Sequence, residues 1–324
     1  MARTRAVAMI RPVEPADLLS WLGLVNQVRY WQDDLEALQF DDTLRPPEEP
    51  VLRLGAWTPD GTLAAVAEAV LSEDGSRHED RAMGLVGVDP VYRRQGLGTR
   101  LADEVERFAT SNACRWVEAE VREHNLPFAQ PFVEQRGYIE LERYRTSIQI
   151  PSTVDLRGLD ALRSRLNAEG IELVAFPAID SPSARAELYR AMMPIWRDMP
   201  HEPHVDWEDP TPEIFARGIF ERPSVLLDGF FVARDGERIV GLSYLARRPD
   251  GDAEVGDTGV LRDYRRRGIA RALKLMVTHF AAQHGIARVH TDNRADNAGM
   301  LAINRELGFV PGEQIVIFEK TLGS

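Results

Sequence analysis

The run Val260-Leu261-Arg262-Asp263-Tyr264-Arg265-Arg266-Arg267-Gly268-Ile269-Ala270 decides how the rest of the chain is read. A near copy, Val88-Asp89-Pro90-Val91-Tyr92-Arg93-Arg94-Gln95-Gly96-Leu97-Gly98, stands 172 positions earlier. The same offset pairs Leu101 with Leu273, Val105 with Val277, Phe108 with Phe280 and Asn125 with Asn297. One gap later, Gly137-Tyr138 falls on Gly308-Phe309. A period of about half the chain is far too long for a solenoid and marks a duplicated domain.

Each copy reads as mixed α/β. Asp60-Gly61 and Asp235-Gly236 supply the positive φ of tight hairpins. They join Val51–Trp57 to Thr62–Leu71, and Gly229–Ala233 to Arg238–Ala246. A third strand, Met83–Val88 or Glu254–Val260, runs into each basic motif. Apolar residues three or four apart then predict a helix through Leu97, Leu101, Val105 and Phe108, and another through Leu273, Val277 and Phe280. A strand at Trp116–Val121 or Val289–Asp292 follows, then a helix stopped at Gly137 or Gly308. The predicted boundary lies near Pro151-Ser152, giving domains 1–150 and 151–324. Val154–Glu169 reads as a connecting helix before the strand Ile171–Phe176, and Asp198–Pro212 as the largest irregular insertion.

A length of 324 residues suits two domains, each able to bury a core. No stretch approaches the ~20 apolar residues of a membrane-spanning helix. The opening Met1–Ile10 meets Arg11-Pro12 too soon for a secretory signal. One cysteine, Cys114, makes neither an intrachain disulfide nor a metal cluster, so a cytoplasmic protein is expected. The net charge of −12 disfavours nucleic acid and leaves a cationic substrate open. A nucleic-acid role for the arginine clusters would show as steeply salt-dependent binding.

A strand, then Arg-Arg-x-Gly-x-Gly or Ala, then an amphipathic helix is a receptor for a pyrophosphate. The helix start presents unpaired N–H groups and about half a positive charge. Glycine allows close approach, and arginines add charge-assisted hydrogen bonds. A Walker loop would need Gly-Lys-Ser/Thr, and a Rossmann fingerprint Gly-x-Gly-x-x-Gly; neither is present. A solvated arginine run would be the ordinary reading of a single copy, and recurrence in the same context argues against it.

With these residues the chain resembles the GCN5-related N-acetyltransferases in tandem arrangement. The resemblance implies a fold of two domains, each a mostly antiparallel mixed sheet with helices on both faces. It implies that Arg265, Arg266, Arg267, Gly268, Ile269, Ala270 and Arg271 bind the pyrophosphate of acetyl-CoA. Arg93, Arg94, Gln95, Gly96, Leu97 and Gly98 match the same motif in the first half. It further implies that Val260 and Val88 hold the pantetheine arm by backbone bonds, with Asn297, and less closely Asn125, near that arm.

Acetyl transfer needs an amine stripped of a proton, a donor for the oxyanion, and a leaving thiolate. Members of the family often place the base on the strand before the loop. Glu254 is the candidate base and Asp257 its reserve. The first half has no carboxylate on that strand, with Glu79 and Asp80 lying before it. The C-terminal half is therefore expected to be catalytic, although Glu254 and Asp257 could equally be outward strand carboxylates. The family's tyrosine acid would stand at Asn304 or Val133, neither of which can protonate a thiolate. Tyr244 is a possible substitute, or a packed strand tyrosine. A coenzyme A thiol with pKa around 8–9 can also leave unaided.

The expected function is acetyl transfer to a small-molecule primary amine, with no metal, nucleic-acid or membrane partner, by a monomer or homodimer. Its competitors are a non-catalytic acyl-CoA sensor and a transferase acting on a protein or peptide amine. His201 and His204 in a Pro-rich loop read as exposed imidazoles. Asp206, Glu208 and Asp209 read as a solvated acidic loop, Trp196 and Trp207 as packing residues, and Cys114 as no nucleophile.

Overall fold

The computed structural model describes residues 8–73, 76–77, 80–199 and 209–323. Glu79, His201, His204, Asp206, Trp207 and Glu208 lie outside the described residues. The chain forms two compact units, Met1–Arg143 with Gln314–Ser324, and Tyr144–Glu313.

In the first unit the elements are β1 (Met9–Pro12), α1 (Leu18–Val28), α2 (Leu35–Leu44), β2 (Leu52–Trp57) and β3 (Leu63–Val70). Then come β4 (Arg81–Val88), α3 (Leu97–Ser111), β5 (Trp116–Arg122), α4 (Leu126–Gln135) and the start of β6 (Ile139–Gln149). Strands β1 to β4 pair in order and antiparallel, while β4 and β5 are parallel. Central β3 is buried almost throughout, so it reads as a near-continuous apolar run rather than an alternating one. Leu97, Leu101 and Val105 bring α3 onto one face of the sheet. Trp21, Val25 and Leu38 bring α1 and α2 onto the other, against Val66.

The second unit repeats the plan. Its elements are α5 (Gly158–Ala168), β7 (Ile171–Ala175), α6 (Pro182–Arg197), α7 (Pro212–Ala216), β8 (Val225–Asp235) and β9 (Arg238–Arg247). They continue with β10 (Ala253–Val260), α8 (Ile269–Gln283), β11 (Val289–Arg294), α9 (Ala298–Glu306) and β12 (Val310–Thr321), whose last residues belong to the first unit. β7 to β10 are antiparallel neighbours and β10–β11 is the parallel pair. Leu162, Leu273 and Val277 pack α5 and α8 on one face. Leu188, Met192 and Phe215 pack α6 and α7 on the other. Each unit is thus a mostly antiparallel mixed sheet with helices on both faces, as the resemblance implies.

The contacts divide the chain elsewhere than at 150/151. Residues 144–149 of β6 pair with β11, from Tyr144↔Arg294 to Gln149↔Val289. Residues 315–321 of β12 pair with β5, from Ile315↔Arg122 to Thr321↔Trp116. The cause is the open edge that β5 and β11 would otherwise present. Backbone N–H and C=O groups at such an edge need a partner strand, and the motif repeat carries no mark of which segment supplies it. A fragment ending at residue 150 lacks that strand and should be molten or insoluble. The same fragment with residues 314–324 restored on a flexible linker should unfold cooperatively in urea. In the intact chain Phe318, 1% exposed, should cost about 3–5 kcal/mol of stability when replaced by Ala.

Candidate active site

The two basic turns have one backbone. Arg94 and Arg266 both sit at φ 62°, and Gly96 and Gly268 at 84° and 83°. Alternating left-handed residues aim successive N–H groups to one side, and the turn closes directly onto α3 or α8. Gly96 and Gly268 are the residues before each helix, where a positive φ calls for glycine. A Cβ at Gly98 would meet nothing closer than Val88 at 3.5 Å, so Ala270 fills the same place in the second turn.

The arginines divide their work. Arg93 Nε donates to Val88 O at 3.0 Å and Arg265 Nε to Val260 O at 2.9 Å, bracing each turn on its strand. Arg267 pairs with Glu169 at 2.9 Å, and Arg271 with Glu306 at 3.6 Å. Arg94 and Arg266 are exposed, and no carboxylate among the described residues pairs with them. Each stands three residues before its helix, which opens at Leu97 or Ile269. Sequence reasoning missed Arg165, whose guanidinium donates to Arg267 O at 2.7 Å. It also missed Asp198, which holds Arg265 at 2.8 Å and pairs with Arg262; Arg262 first, then Arg265, keeps the Asp198 carboxyl below its ordinary range.

Behind each turn the parallel strands part. β4 and β5 pair from Arg81↔Trp116 to Gly84↔Ala119, and β4 then continues to Val88. β10 and β11 have only two rungs, Ala253↔Val289 and Glu254↔His290, before β10 runs on to Val260. In the second unit Ser243 faces Thr258 while Leu245 faces Val255, so Tyr244 opposes both Gly256 and Asp257. That is a β-bulge, which bends the strand and re-aims its side chains. The β3–β4 ladder is regular.

Glu254 stands on the last rung. It is 5% exposed, and Arg248 Nη1 donates to its Oε2 at 2.9 Å. Tyr244 stacks on Phe230 at 4.9 Å and its hydroxyl donates to Asp257 Oδ2 at 3.2 Å. Gly256 makes room for that ring, since a Cβ there would lie 2.2 Å from it. Leu245 and Val255 face α8, so Glu254 and its cross-strand neighbour Ala246 point to the α6 side, as Tyr244 does. Asn297 caps α9 by accepting from Met300 N at 3.2 Å, whereas the Asn125 side chain makes no such cap. Val260 is buried beside Gly241.

Over residues 16–138 and 186–309 the chain matches the model of the acetyltransferase (GNAT) family. The chain belongs to that family. It is 27% identical to a mycothiol acetyltransferase of Geodermatophilus obscurus over 299 residues, 85% of this chain and 88% of that one. It is also 27% identical to one from Rhodococcus opacus over 244 residues, 71% and 72% of the two chains. A tandem GNAT protein from the clavulanic acid biosynthesis pathway superposes with a TM-score of 0.73 at 17% identity, covering 98% of this chain and 99% of that one. A GCN5-related N-acetyltransferase from Sphaerobacter thermophilus gives 0.70 at 20% identity, with 97% and 95% covered. The protein is therefore a GNAT acetyltransferase of tandem build, and no helix among the described residues is long and apolar enough to cross a membrane.

Within this GNAT chain the two units differ under the strand opening. In the first, Ala102 and Val133 are buried. In the second the matching positions are Lys274, 1% exposed, and Asn304, 2% exposed. Burial brings the Lys274 amine down to about 7, only partly offset by the charge of Asp292. On the α1 side of the first unit, Glu68 is 3% exposed and held by Arg29 and by Arg53, the latter at 2.9 Å. Trp196 packs edge-on against Phe215. Asp250, Asp252 and His290 offer three clustered ligand atoms, but Arg288 and His290 hold Asp252 at 2.7 and 2.8 Å and Arg248 lies 3.8 Å from Asp250. Guanidinium groups beside both carboxylates oppose a cation there.

Two outcomes follow for stability. Glu254→Ala removes the carboxylate that Arg248 meets at 2.9 Å in the interior and should cost about 3 kcal/mol, whereas half-buried Asp257→Asn should cost well under half of that in the same denaturant titration. Lys274 carries its proton up to pH ~10 when unfolded but loses it near 7 when folded. Wild-type stability should thus rise between pH 7 and 10. Lys274→Met should be the more stable protein, with a gap in melting temperature that narrows over the same interval.

Proposed function

We propose that the protein moves an acetyl group from acetyl-CoA to the primary amine of a small molecule, and that the second unit does so. The carrying observation is that β10 and β11 separate one residue past Glu254, behind a turn whose amides and Arg266 face outward. Beyond that rung β10 can offer its N–H and C=O groups to a pantetheine arm, which is itself an amide chain. The thioester then lies between Glu254 and the bulge at Gly256-Asp257.

Arg266 and the first amides of α8 neutralise the pyrophosphate. Arg265, held on the Val260 carbonyl, keeps the turn in shape. Glu254, oriented by Arg248, takes the proton from the acceptor ammonium through water, and the amine attacks the thioester carbonyl directly. A β10 backbone N–H stabilises the oxyanion as the C–N bond forms. Asp257, steadied by Tyr244, attracts the incoming ammonium and is the reserve base.

The first unit is read as a cofactor-binding relative without chemistry. β4 has no carboxylate beyond its paired stretch and no bulge, and Glu68 is neutralised by two arginines. The relatives named mycothiol acetyltransferases make an amine of that type the first acceptor to assay.

Free-thiol release from acetyl-CoA across a panel of amines tests the reading. Binding without amine-dependent release across the whole panel would turn it to an acyl-CoA sensor. Arg266→Ala should weaken acetyl-CoA binding about tenfold or more by calorimetry. If Arg94→Ala does nothing and one equivalent binds, the second unit alone is the acetyl-CoA site. Glu254→Gln should lower kcat by about 100-fold or more with little change in KM for acetyl-CoA, the loss being largest below neutral pH. A larger loss in Asp257→Asn would move the base to that residue.

A further inference from the structure

Of the 39 basic residues only Lys274 and Lys320 are lysines; all the others are arginines. Lys320 is an ordinary ion-paired cation, its Nζ 2.7 Å from Glu106. Lys274 is different. It projects from the second turn of α8 into the interior, where it is 1% exposed. The ring of Phe309 is 5.1 Å away, and Asp292 is the charged group whose field reaches it.

A second buried polar atom lies on the same side. Asn304 Nδ2 donates to Asn293 Oδ1 at 2.7 Å, but Asn304 Oδ1 has no partner among the described residues. Phe309 N–H bonds back to Asn304 O at 2.9 Å, so the ring beside Lys274 belongs to the turn that closes α9. Asp292 and Asn293 follow His290, the last β11 residue paired with β10. Asn304, through Asn293, and Lys274, through the charge of Asp292, are thus both tied to β11 just past its last rung with β10. Buried polar groups are costly unless something completes them. The other charged groups nearby are committed: Glu254 to Arg248, Asp257 to Tyr244, Arg271 to Glu306 and Arg165 to the Arg267 carbonyl. From β6, Gln149 takes the hydroxyl of Thr278.

We propose that Lys274, in a polar slot shared with Asn304, gives its proton to the sulfur of departing coenzyme A. This rests on acetyl transfer in the second unit. As the acceptor nitrogen bonds to the acetyl carbon, the C–S bond breaks and its electron pair stays on sulfur. That pair takes an Nζ proton, giving the free thiol and a neutral lysine. The proton shed by the acceptor nitrogen passes to Glu254 and on to solvent, and Lys274 regains its own from solvent. A lysine suits the task where an arginine does not, because guanidinium does not surrender its proton. With the amine near 7 and a thiol near 8–9, the transfer runs downhill. Tyr244 cannot do it while its hydroxyl serves Asp257.

Two lysines make the test direct. Protein labelled with [ε-13C]lysine should give two side-chain signals, assigned with Lys320→Arg. The Lys274 signal should titrate near 7, and saturating coenzyme A should move that midpoint more than desulfo-coenzyme A does. Equal responses to the two ligands, or a Lys274 midpoint above 9, would overturn the proposal. In turnover, Lys274→Met should lose about 100-fold in kcat while KM for acetyl-CoA stays within threefold. It should also lose the fall in kcat above pH ~7, with Lys274→Arg giving no rescue and thermal unfolding confirming the fold. Wild-type kcat and pH profile in Lys274→Met, or acetylation of Lys274 itself by mass spectrometry, would sink the assignment. A wild type that binds coenzyme A but acetylates no amine fails the transfer reading alone, while the desulfo comparison still reports whether the lysine meets the sulfur.

Discussion

Parallel strands that start as neighbours usually stay paired, because every buried N–H and C=O needs a partner. In both units the parallel pair gives up that pairing partway, most abruptly in the second, where two rungs precede the opening. The other features of the site are arranged around this one concession. The turn with alternating left-handed residues follows the strand and leads directly into a helix. The bulge at Gly256-Asp257 bends β10 where its neighbour has left it. A polar, chain-like ligand suits such a slot because it can replace the missing strand.

The duplication serves as an internal comparison. Both turns keep nearly the same φ values and the same arginine brace on the strand carbonyl, so the turn geometry is common to the two units. The residues around the opening have diverged. One unit keeps an apolar layer of Ala102 and Val133 and an arginine-tied Glu68. The other keeps Glu254, Asp257, Lys274 and Asn304. The positions that are buried and apolar in one copy are thus buried and polar in the other. The second turn is also braced from outside the repeat, by Arg165 and Glu169 at the end of α5.

Much was legible before any coordinates. Gly137 and Gly308 announce left-handed helix ends, the spacing of Leu101 and Val105, or Leu273 and Val277, announces the helices after the basic turns, and the offset of 172 announces two domains. Helices α1, α2 and α6 were not delimited, since they lie outside the repeated motif and their apolar faces answer to a particular sheet. Arg248 was invisible as the partner of Glu254, six residues along but on the adjoining strand. Lys274 was passed over beside Leu273 and Val277, since its burial depends on how α8 lies on the sheet.

The sequence by itself determined the duplication, the class of each half and the place of its basic turns, because these rest on repeated local patterns and helical periodicity. The tertiary structure alone decided which strand ends complete each sheet, which turn arginines are tied to carboxylates, and what surrounds each carboxylate. Those outcomes depend on hydrogen bonds and ion pairs between segments far apart in the chain. Periodicity along one strand or helix cannot specify the partner that another segment brings to it.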